Sequence, residues 1–375
     1  MTIRVLSIFG TRPEAVKMAP VIRELKRSPG VDSYVCVTAQ HREMLDQVLN
    51  LFRIKPDIDL DLMRPDQTLA DLSAAIFTQL DPVLKSIKPE WVLVQGDTTT
   101  VAVASMLAYY RRIKVGHVEA GLRTFDKWQP YPEEINRRIA GVIADLHFAP
   151  TEWTRRNLLR EGVSEDSIKV TGNPVIDALQ VVAEQPAPSQ VKELVNDLFL
   201  NTGKRLILVT AHRRENFGKP LQDIIKALIQ IAARGDVEIV YPVHLNPNVQ
   251  EPVYRMLGET QHITLLPPLD YLPMVHLLKQ AALVLTDSGG IQEEAPAFGI
   301  PVLVLREVTE RPEGVESGTL KLVGTDTDRI VGETNKLLDD PLLYSQMAKA
   351  SNPFGDGHAA ERIVKALLEY RTKSS

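Results

Sequence analysis

Short runs of β-branched residues, ending in Gly, Asp or His, alternate along this chain with longer stretches whose apolar positions recur at helical spacing. Runs that are apolar at every position belong to strands buried on both faces, as in a parallel sheet whose crossover helices cover both sides. In the first half this pattern predicts strands over residues 4–9, 33–38, 91–95, 114–118 and 146–149, with helices over 13–27, 42–51, 69–87 and 99–111. Pro13 suits a first helical turn, where a missing N–H costs nothing. A polar, Pro-bearing stretch at 184–190 precedes a second series of strands at 205–210, 238–242, 263–266, 283–286 and 301–305. Helices over 220–234, 272–280 and 291–298 alternate with them, and a last helix, 358–372, follows the turn Gly355-Asp356-Gly357.

Two successive βα series predict an α/β protein of two Rossmann-like, doubly wound domains. The expected division is 1–171 and 172–355, with the terminal segment 356–375 docking back on the first domain. A single eight-unit barrel is the weaker alternative, because the break near residues 170–174 interrupts the series. Length agrees with two domains: 375 residues at roughly 150 per domain. Lys+Arg 43 against Asp+Glu 48 gives a net charge of −5, which argues against a nucleic-acid-binding protein but leaves room for a local basic cleft. Cys36 is the one cysteine, so an internal disulfide and a Cys-rich zinc site are excluded; inside Tyr34-Val35-Cys36-Val37 it reads as a reduced core residue. No apolar stretch approaches the ~20 residues of a membrane span. MTIRVLSIFG is too short in its apolar part for a signal peptide, so the expectation is a soluble cytoplasmic protein.

Ligands of open α/β sheets bind beyond the carboxyl ends of the strands, so the residues just after each strand carry the candidate chemistry. The first strand leads into Gly10-Thr11-Arg12-Pro13-Glu14, with Lys17 one turn on, a cationic turn suited to an anion or equally to solvent. Gln95-Gly96-Asp97 and His117-Val118-Glu119 each put a carboxylate past an apolar strand, and Glu133-Glu134 follow. Asp97 serves equally well as a cap for the Thr-rich helix start, and Glu119 as a partner for Arg123. Three acids converging on one sheet edge would raise one another's pKa and be poised for proton transfer. In the second half, His212-Arg213-Arg214 and His244 follow strands, as does Asp287-Ser288-Gly289-Gly290, where small residues let backbone N–H groups approach a diphosphate. Glu294, one turn in, is placed for sugar hydroxyls. There is no dinucleotide G-x-G-x-x-G, Walker loop, H-E-x-x-H, C-x-x-C or G-x-S-x-G, so no metal site is expected. These residues alone reach an enzyme for a phosphorylated or nucleotide ligand, and do not choose the reaction.

Ten blocks then follow in order, among them FGTRPEAVKMAP, VTAQHREMLDQVL, VQGDTTT, HVEAGLRT, YPEEINRR, TGNPVIDAL, TAHRREN, YPVHLNPNV, TDSGGIQEEAP and TERPEG. Together they resemble the non-hydrolysing UDP-N-acetylglucosamine 2-epimerases from about Arg4 to the last helix. The resemblance implies a glycosyltransferase-B-like fold with the sugar nucleotide in the cleft between two domains. It implies interconversion of UDP-GlcNAc and UDP-ManNAc through loss of UDP to 2-acetamidoglucal and re-addition, with no redox cofactor. By motif, Asp97, Glu119 and Glu133 match the family's catalytic carboxylates and His212 the histidine near the diphosphate. Arg12, Lys17, Ser288, Gly289, Gly290, Glu294 and Arg311 match ligand-binding positions. Base or ribose contacts are implied for residues 269–274, where Leu269 and Met274 stand in place of the Gln and Phe frequent in relatives. A second, activating UDP-GlcNAc would meet Gln40, Glu43, Arg213 and His244. A homodimer is also implied, as is supply of ManNAc units to a surface polysaccharide. Rival readings are a 2-epimerase of a related UDP-sugar such as a diacetamido-uronate, a hydrolysing 2-epimerase, a retaining glycosyltransferase of the same fold, and a non-catalytic sugar-nucleotide sensor.

Overall fold

In the computed structural model, residues 2–39, 42–64, 66–200 and 202–373 are described, and they divide into two compact units, Met1–Ala178 with Phe354–Ser375, and Leu179–Pro353. In the first unit the strands are β1 (Ile3–Phe9), β2 (Val31–Val37), β3 (Ile58–Asp59), β4 (Trp91–Gln95), β5 (Lys114–Val118), β6 (Leu146–Ala149) and β7 (Ile168–Val170). They form one parallel sheet in the order β3-β2-β1-β4-β5-β6-β7. The second unit holds β8 (Arg205–Thr210), β9 (Val237–Pro242), β10 (Ile263–Leu266), β11 (Leu283–Thr286), β12 (Val302–Val304) and β13 (Leu320–Leu322). Its sheet is also parallel, ordered β10-β9-β8-β11-β12-β13. Two open sheets dispose of the single-barrel alternative. In each, strand order reverses beside the first strand, between β1 and β4 and between β8 and β11, the place where open α/β sheets take ligands.

Burial explains the strands. Every residue of β4, β6, β9, β11 and β12 is buried, so each is covered on both faces by helices. The helix Thr99–Tyr110 is buried along nearly all its length. A helix apolar on all sides sits deep, and this one packs between β4, β5 and the helices Leu69–Ile87 and Glu133–Ile143. Cys36 lies in this core, where burial pushes its thiol up to about 12.

The chain returns to its first unit at the end. Helix Ala359–Lys373 packs on helix Arg12–Arg27. Asp177 accepts from the N–H groups of Ala359 (3.2 Å) and Ala360 (2.8 Å), satisfying two orphan donors of that helix start. Asn173 N–H donates to the Phe354 carbonyl at 2.7 Å, and Arg362 reaches the Thr171 carbonyl at 3.1 Å. Among the described residues no helix is long and apolar enough to cross a membrane.

Candidate active site

In the first unit, the β1 turn is built around a buried acid. Glu14 accepts from the N–H groups of Gly10 (3.0 Å) and Thr11 (2.7 Å) and from Thr98 Oγ1 (2.7 Å). It thereby fastens the loop after β1 to the loop after β4. Burial pushes its carboxyl above the ordinary value, against the pull of those donors. One turn later Lys17 leaves the same helix and its ammonium pairs with Glu119 Oε1.

Glu119 stands just past β5 at φ +63°, a conformation that costs a non-glycine residue about 1–3 kcal/mol. Its carboxylate takes three side-chain donors: Lys17 and Asn173 on Oε1, the latter at 3.0 Å, and Gln95 on Oε2. Only 5% of that side chain is exposed, so side chains must provide the hydrogen bonds water would otherwise give. Asp97, after β4, keeps 26% of its side-chain surface and pairs through Oδ2 with Arg137. Burial pushes its carboxyl up, Arg137 and Lys17 oppose that, and the neighbouring charge of Glu119 reinforces it. The result is a four-membered charge cluster, two carboxylates and two cations, at the switch point of one sheet.

The bland alternatives for these acids fall away. Thr98, not Asp97, caps the helix Thr99–Tyr110, by accepting from Val101 N–H. Arg123 does not pair with Glu119; its guanidinium makes two bonds to Glu161, at 2.8 and 2.7 Å. Of the three acids, Asp97 and Glu119 are joined by their charges and by Arg137 and Lys17. Glu133 begins the helix Glu133–Ile143 half buried, its Oε2 without a hydrogen-bond partner, and Arg137 one turn later is what reaches Asp97. Its neighbour Glu134 is structural, accepting from the N–H groups of Thr124 (3.1 Å) and Phe125 (3.2 Å). Arg12 sits half exposed at the helix start. Gln40 lies outside the described residues, and of Glu43 only its place in helix Arg42–Leu51 is described.

The second unit places different chemistry at the equivalent edge. Asp287, fully buried after β11, accepts on Oδ2 from the N–H groups of His212 and Arg213, both at 2.8 Å, and from Asn216 Nδ2 at 3.0 Å. Tyr241 adds a bond from its hydroxyl to the Ala211 carbonyl at 2.6 Å. The loop after β8 is thus tied down, and His212 is aimed from it with Nδ1 3.5 Å from Asp287 Oδ1. Burial lowers the pKa of His212 while Asp287 raises it; His244 and Arg213 add to the lowering, and the outcome is a fall. The ring of His244 stacks on that of His212, centroids 5.3 Å apart, while its Nδ1 also accepts from Asn246 N–H at 3.0 Å. Its loop-capping reading is seen, and its ring faces His212.

Ser288, Gly289 and Gly290 open the helix Gly289–Glu294. A Cβ at Gly289 would lie 2.7 Å from an Arg311 guanidinium nitrogen, so any side chain there would push the guanidinium aside. Arg311 is held by Glu293 Oε1 at 2.7 Å, with Glu310 Oε2 at 3.5 Å. Glu294 accepts from the Tyr271 hydroxyl at 3.2 Å. Leu269 and Met274 flank Tyr271 half buried, as apolar surface. The arrangement can hold an anion against Arg311 and two glycine amides, beside a neutral histidine.

The sequence model of the UDP-N-acetylglucosamine 2-epimerase family matches residues 23–368. The chain belongs to the UDP-N-acetylglucosamine 2-epimerase family. It is 55% identical over 98% of its length to the Salmonella typhimurium UDP-N-acetylglucosamine 2-epimerase, 99% of which is covered. Among solved structures it is similar to the Neisseria meningitidis UDP-GlcNAc 2-epimerase bound to UDP-GlcNAc, with a TM-score of 0.90 and 48% identity, covering 98% of this chain and 100% of that one. The Staphylococcus aureus MnaA–UDP co-structure is similar at 47% identity and a TM-score of 0.88, covering 99% and 97%. Membership makes this epimerase-family chain an isomerase with a glycosyltransferase-B-like fold.

Gln95, Asn173, Arg137 and Asp287 were not singled out by sequence reasoning as site residues. Two of them had a signal. A glutamine ending an otherwise apolar strand must find a buried partner, and so must an aspartate following one. Asn173 and Arg137 become readable only once the fold brings them to the acids.

Proposed function

We propose that the chain interconverts UDP-GlcNAc and UDP-ManNAc by inverting C2 of the sugar. The observation that carries this reading is the coupled pair Asp97 and Glu119, each opposed by its own cation, in a chain alike over nearly its whole length to proteins named for that reaction. The C2 hydrogen is not beside a ketone, so direct removal by a side chain is too slow. Loss of UDP makes it feasible. A base takes the C2 proton, the C1–O bond breaks with its electron pair leaving on the diphosphate, and C1=C2 remains as 2-acetamidoglucal. In the second step a proton arrives on the other face of C2 while a diphosphate oxygen rebuilds the bond to C1. Atoms and electrons balance, and no redox partner enters.

Two proton-handling groups are needed. Glu119, accepting donors on both oxygens, has the surroundings of an ionised carboxylate and serves as the base. Asp97, whose pKa is raised by burial, serves as the acid. In the reverse direction the roles exchange. Glu133 is a further candidate for proton handling, since its Oε2 is buried and unpartnered. His212, Arg311 and the amides of Gly289 and Gly290 stabilise the diphosphate as it leaves, with Ser288, Glu294, Arg12 and residues 269–274 as further ligand contacts.

The experiment is incubation with UDP-GlcNAc in D2O followed by NMR. UDP-ManNAc with deuterium at C2 is expected. Free ManNAc selects the hydrolysing reaction, and no exchange with no C2 epimer rejects both.

We extend the proposal to activation by a second UDP-GlcNAc beside Arg213 and His244, tested by whether added UDP-GlcNAc raises initial rates on UDP-ManNAc. The working form is proposed to be a cytoplasmic homodimer. Tyr109, Tyr110 and Val142 support pairing, since they stand exposed on two neighbouring helices, Val142 at 88%. Sedimentation of Val142→Glu as a monomer would agree with that face.

A further inference from the structure

Five basic residues, Lys85, Lys88, Arg111, Arg112 and Lys114, line one cavity of about 660 Å³ in the first unit, with Glu90 as its single acidic lining residue. In a chain of net charge −5 this is a local reversal of sign. Part of it is neutralised: Asp81 pairs with Lys85 at 2.8 Å and also with Arg111. Lys114 stands over the rings of Trp91 (5.7 Å) and Tyr370 (4.6 Å). Lys88 and Arg112 remain exposed, each in the left-handed region, at φ +50° and +56°, and neither makes an ion pair among the described residues. Leu84, Pro89 and Ile3 give the cavity a buried apolar floor.

Its position separates it from the acids. Ile3, Trp91 and Lys114 are the first residues of β1, β4 and β5, whereas Asp97 and Glu119 lie beyond the far ends of β4 and β5. Five residues of strand put about 15 Å between the two edges of the sheet. Like charges grouped within a Debye length, about 8 Å at physiological salt, repel one another unless an anion joins them. The volume falls within the range of small-molecule sites, roughly 300–1,000 Å³.

We propose that this cavity is a binding site for a soluble oligophosphate carrying three or more negative charges, with the apolar floor receiving an attached organic group. Arg112 and Lys88 supply the unpaired charge, and Lys85, Arg111 and Lys114 widen the positive field. The site is independent of the proposed reaction and lies at the opposite end of the strands that carry it.

Calorimetric titration of the whole chain with inorganic tripolyphosphate, with and without saturating UDP, tests it. Saturable binding that UDP leaves unchanged is expected, falling about tenfold or more in Lys88→Gln/Arg112→Gln and weakening as salt rises. Arg311→Ala should bind tripolyphosphate as the parent does. Absence of saturable binding, equal affinity in the double variant, or displacement by UDP would each overturn the proposal. Both side chains are exposed, so the double variant should melt like the parent; if it does not, the single variants carry the same reading.

Discussion

The two sheets share a strand plan and a switch point, yet the acids at their edges are held in opposite ways. In the first unit Glu119 is gripped by side chains: Lys17, Gln95 and Asn173. In the second, Asp287 is gripped chiefly by backbone, the N–H groups of His212 and Arg213, with Asn216 completing it. An acid bonded to side chains adjusts when a proton or ligand arrives. An acid bonded to two consecutive amides fixes a loop. One fold thus holds one acid by side chains and the other by backbone; under the proposed function the first does chemistry and the second aims His212.

The largest expected effect tests the first half of that contrast. Glu119→Gln keeps shape but cannot take a proton, and should lower kcat by on the order of 10²–10⁴ at a temperature where the variant is folded, even though losing the Lys17 pair also lowers Tm. Parental turnover in a folded Glu119→Gln would break the comparison. Asp287→Ala should do the reverse and act first on stability, because it strands two amides and an Asn side chain, costing several kcal/mol at about 1–3 each. Urea unfolding reads this directly, and a parental midpoint would place the loop's support elsewhere.

A third difference is set by pH. His117 and His147, register partners on β5 and β6, are held neutral by burial, down to about 3 and about 4. Their ordinary value is about 6.5, so below that pH the unfolded chain binds protons that the folded first unit refuses. Stability contributed by each is present above about pH 6.5 and is lost as pH falls, down to about 4 for His147 and about 3 for His117, with a slope of about 1.4 kcal/mol per pH unit for each ring. Replacing both by Gln should flatten the acid limb of a stability–pH curve; an unchanged limb would remove them as its cause. The smallest effect belongs to Gly289→Ala. Its new methyl displaces the Arg311 guanidinium, and KM for the UDP-sugar should rise about tenfold with kcat less affected, a binding loss of about 1.4 kcal/mol.

Sequence pattern reached the buried centre of each sheet and one of the four edges, β10, but missed the other three. Strands β4, β5, β6, β8 and β11 coincide with their predicted runs, because burial on both faces leaves an apolar signature. The half-buried edge strand β10 coincides as well, because its four residues are all apolar or β-branched. The edge strands β3, β7 and β13, of two to three residues, were missed; they have too few positions to show a period. Among the helices missed are Glu133–Ile143, Glu152–Arg160, Pro174–Ala183, Ser189–Val195, Pro247–Leu257, Thr327–Asp339 and Pro341–Ala348. At the site, the acids Asp97 and Glu119 were legible because each follows an apolar run. Their partners were not, since Arg137 and Asn173 lie 40 and 54 residues further along the chain. Pairing across such distances is a property of the fold, not of local spacing.

Asn173 also has a consequence in time. Its side chain holds Glu119, while its own N–H is satisfied by the carbonyl of Phe354, on the far side of the inserted segment Leu179–Pro353. At about 5–20 residues per second, a ribosome needs roughly ten to thirty-five seconds to make that segment. Throughout that interval the first sheet is already synthesised but Asn173, which holds Glu119, lacks its backbone partner. Until Phe354 is made, the first unit lacks both that backbone partner and the terminal helix that packs on helix Arg12–Arg27, so a polypeptide still in synthesis carries an unfinished first unit.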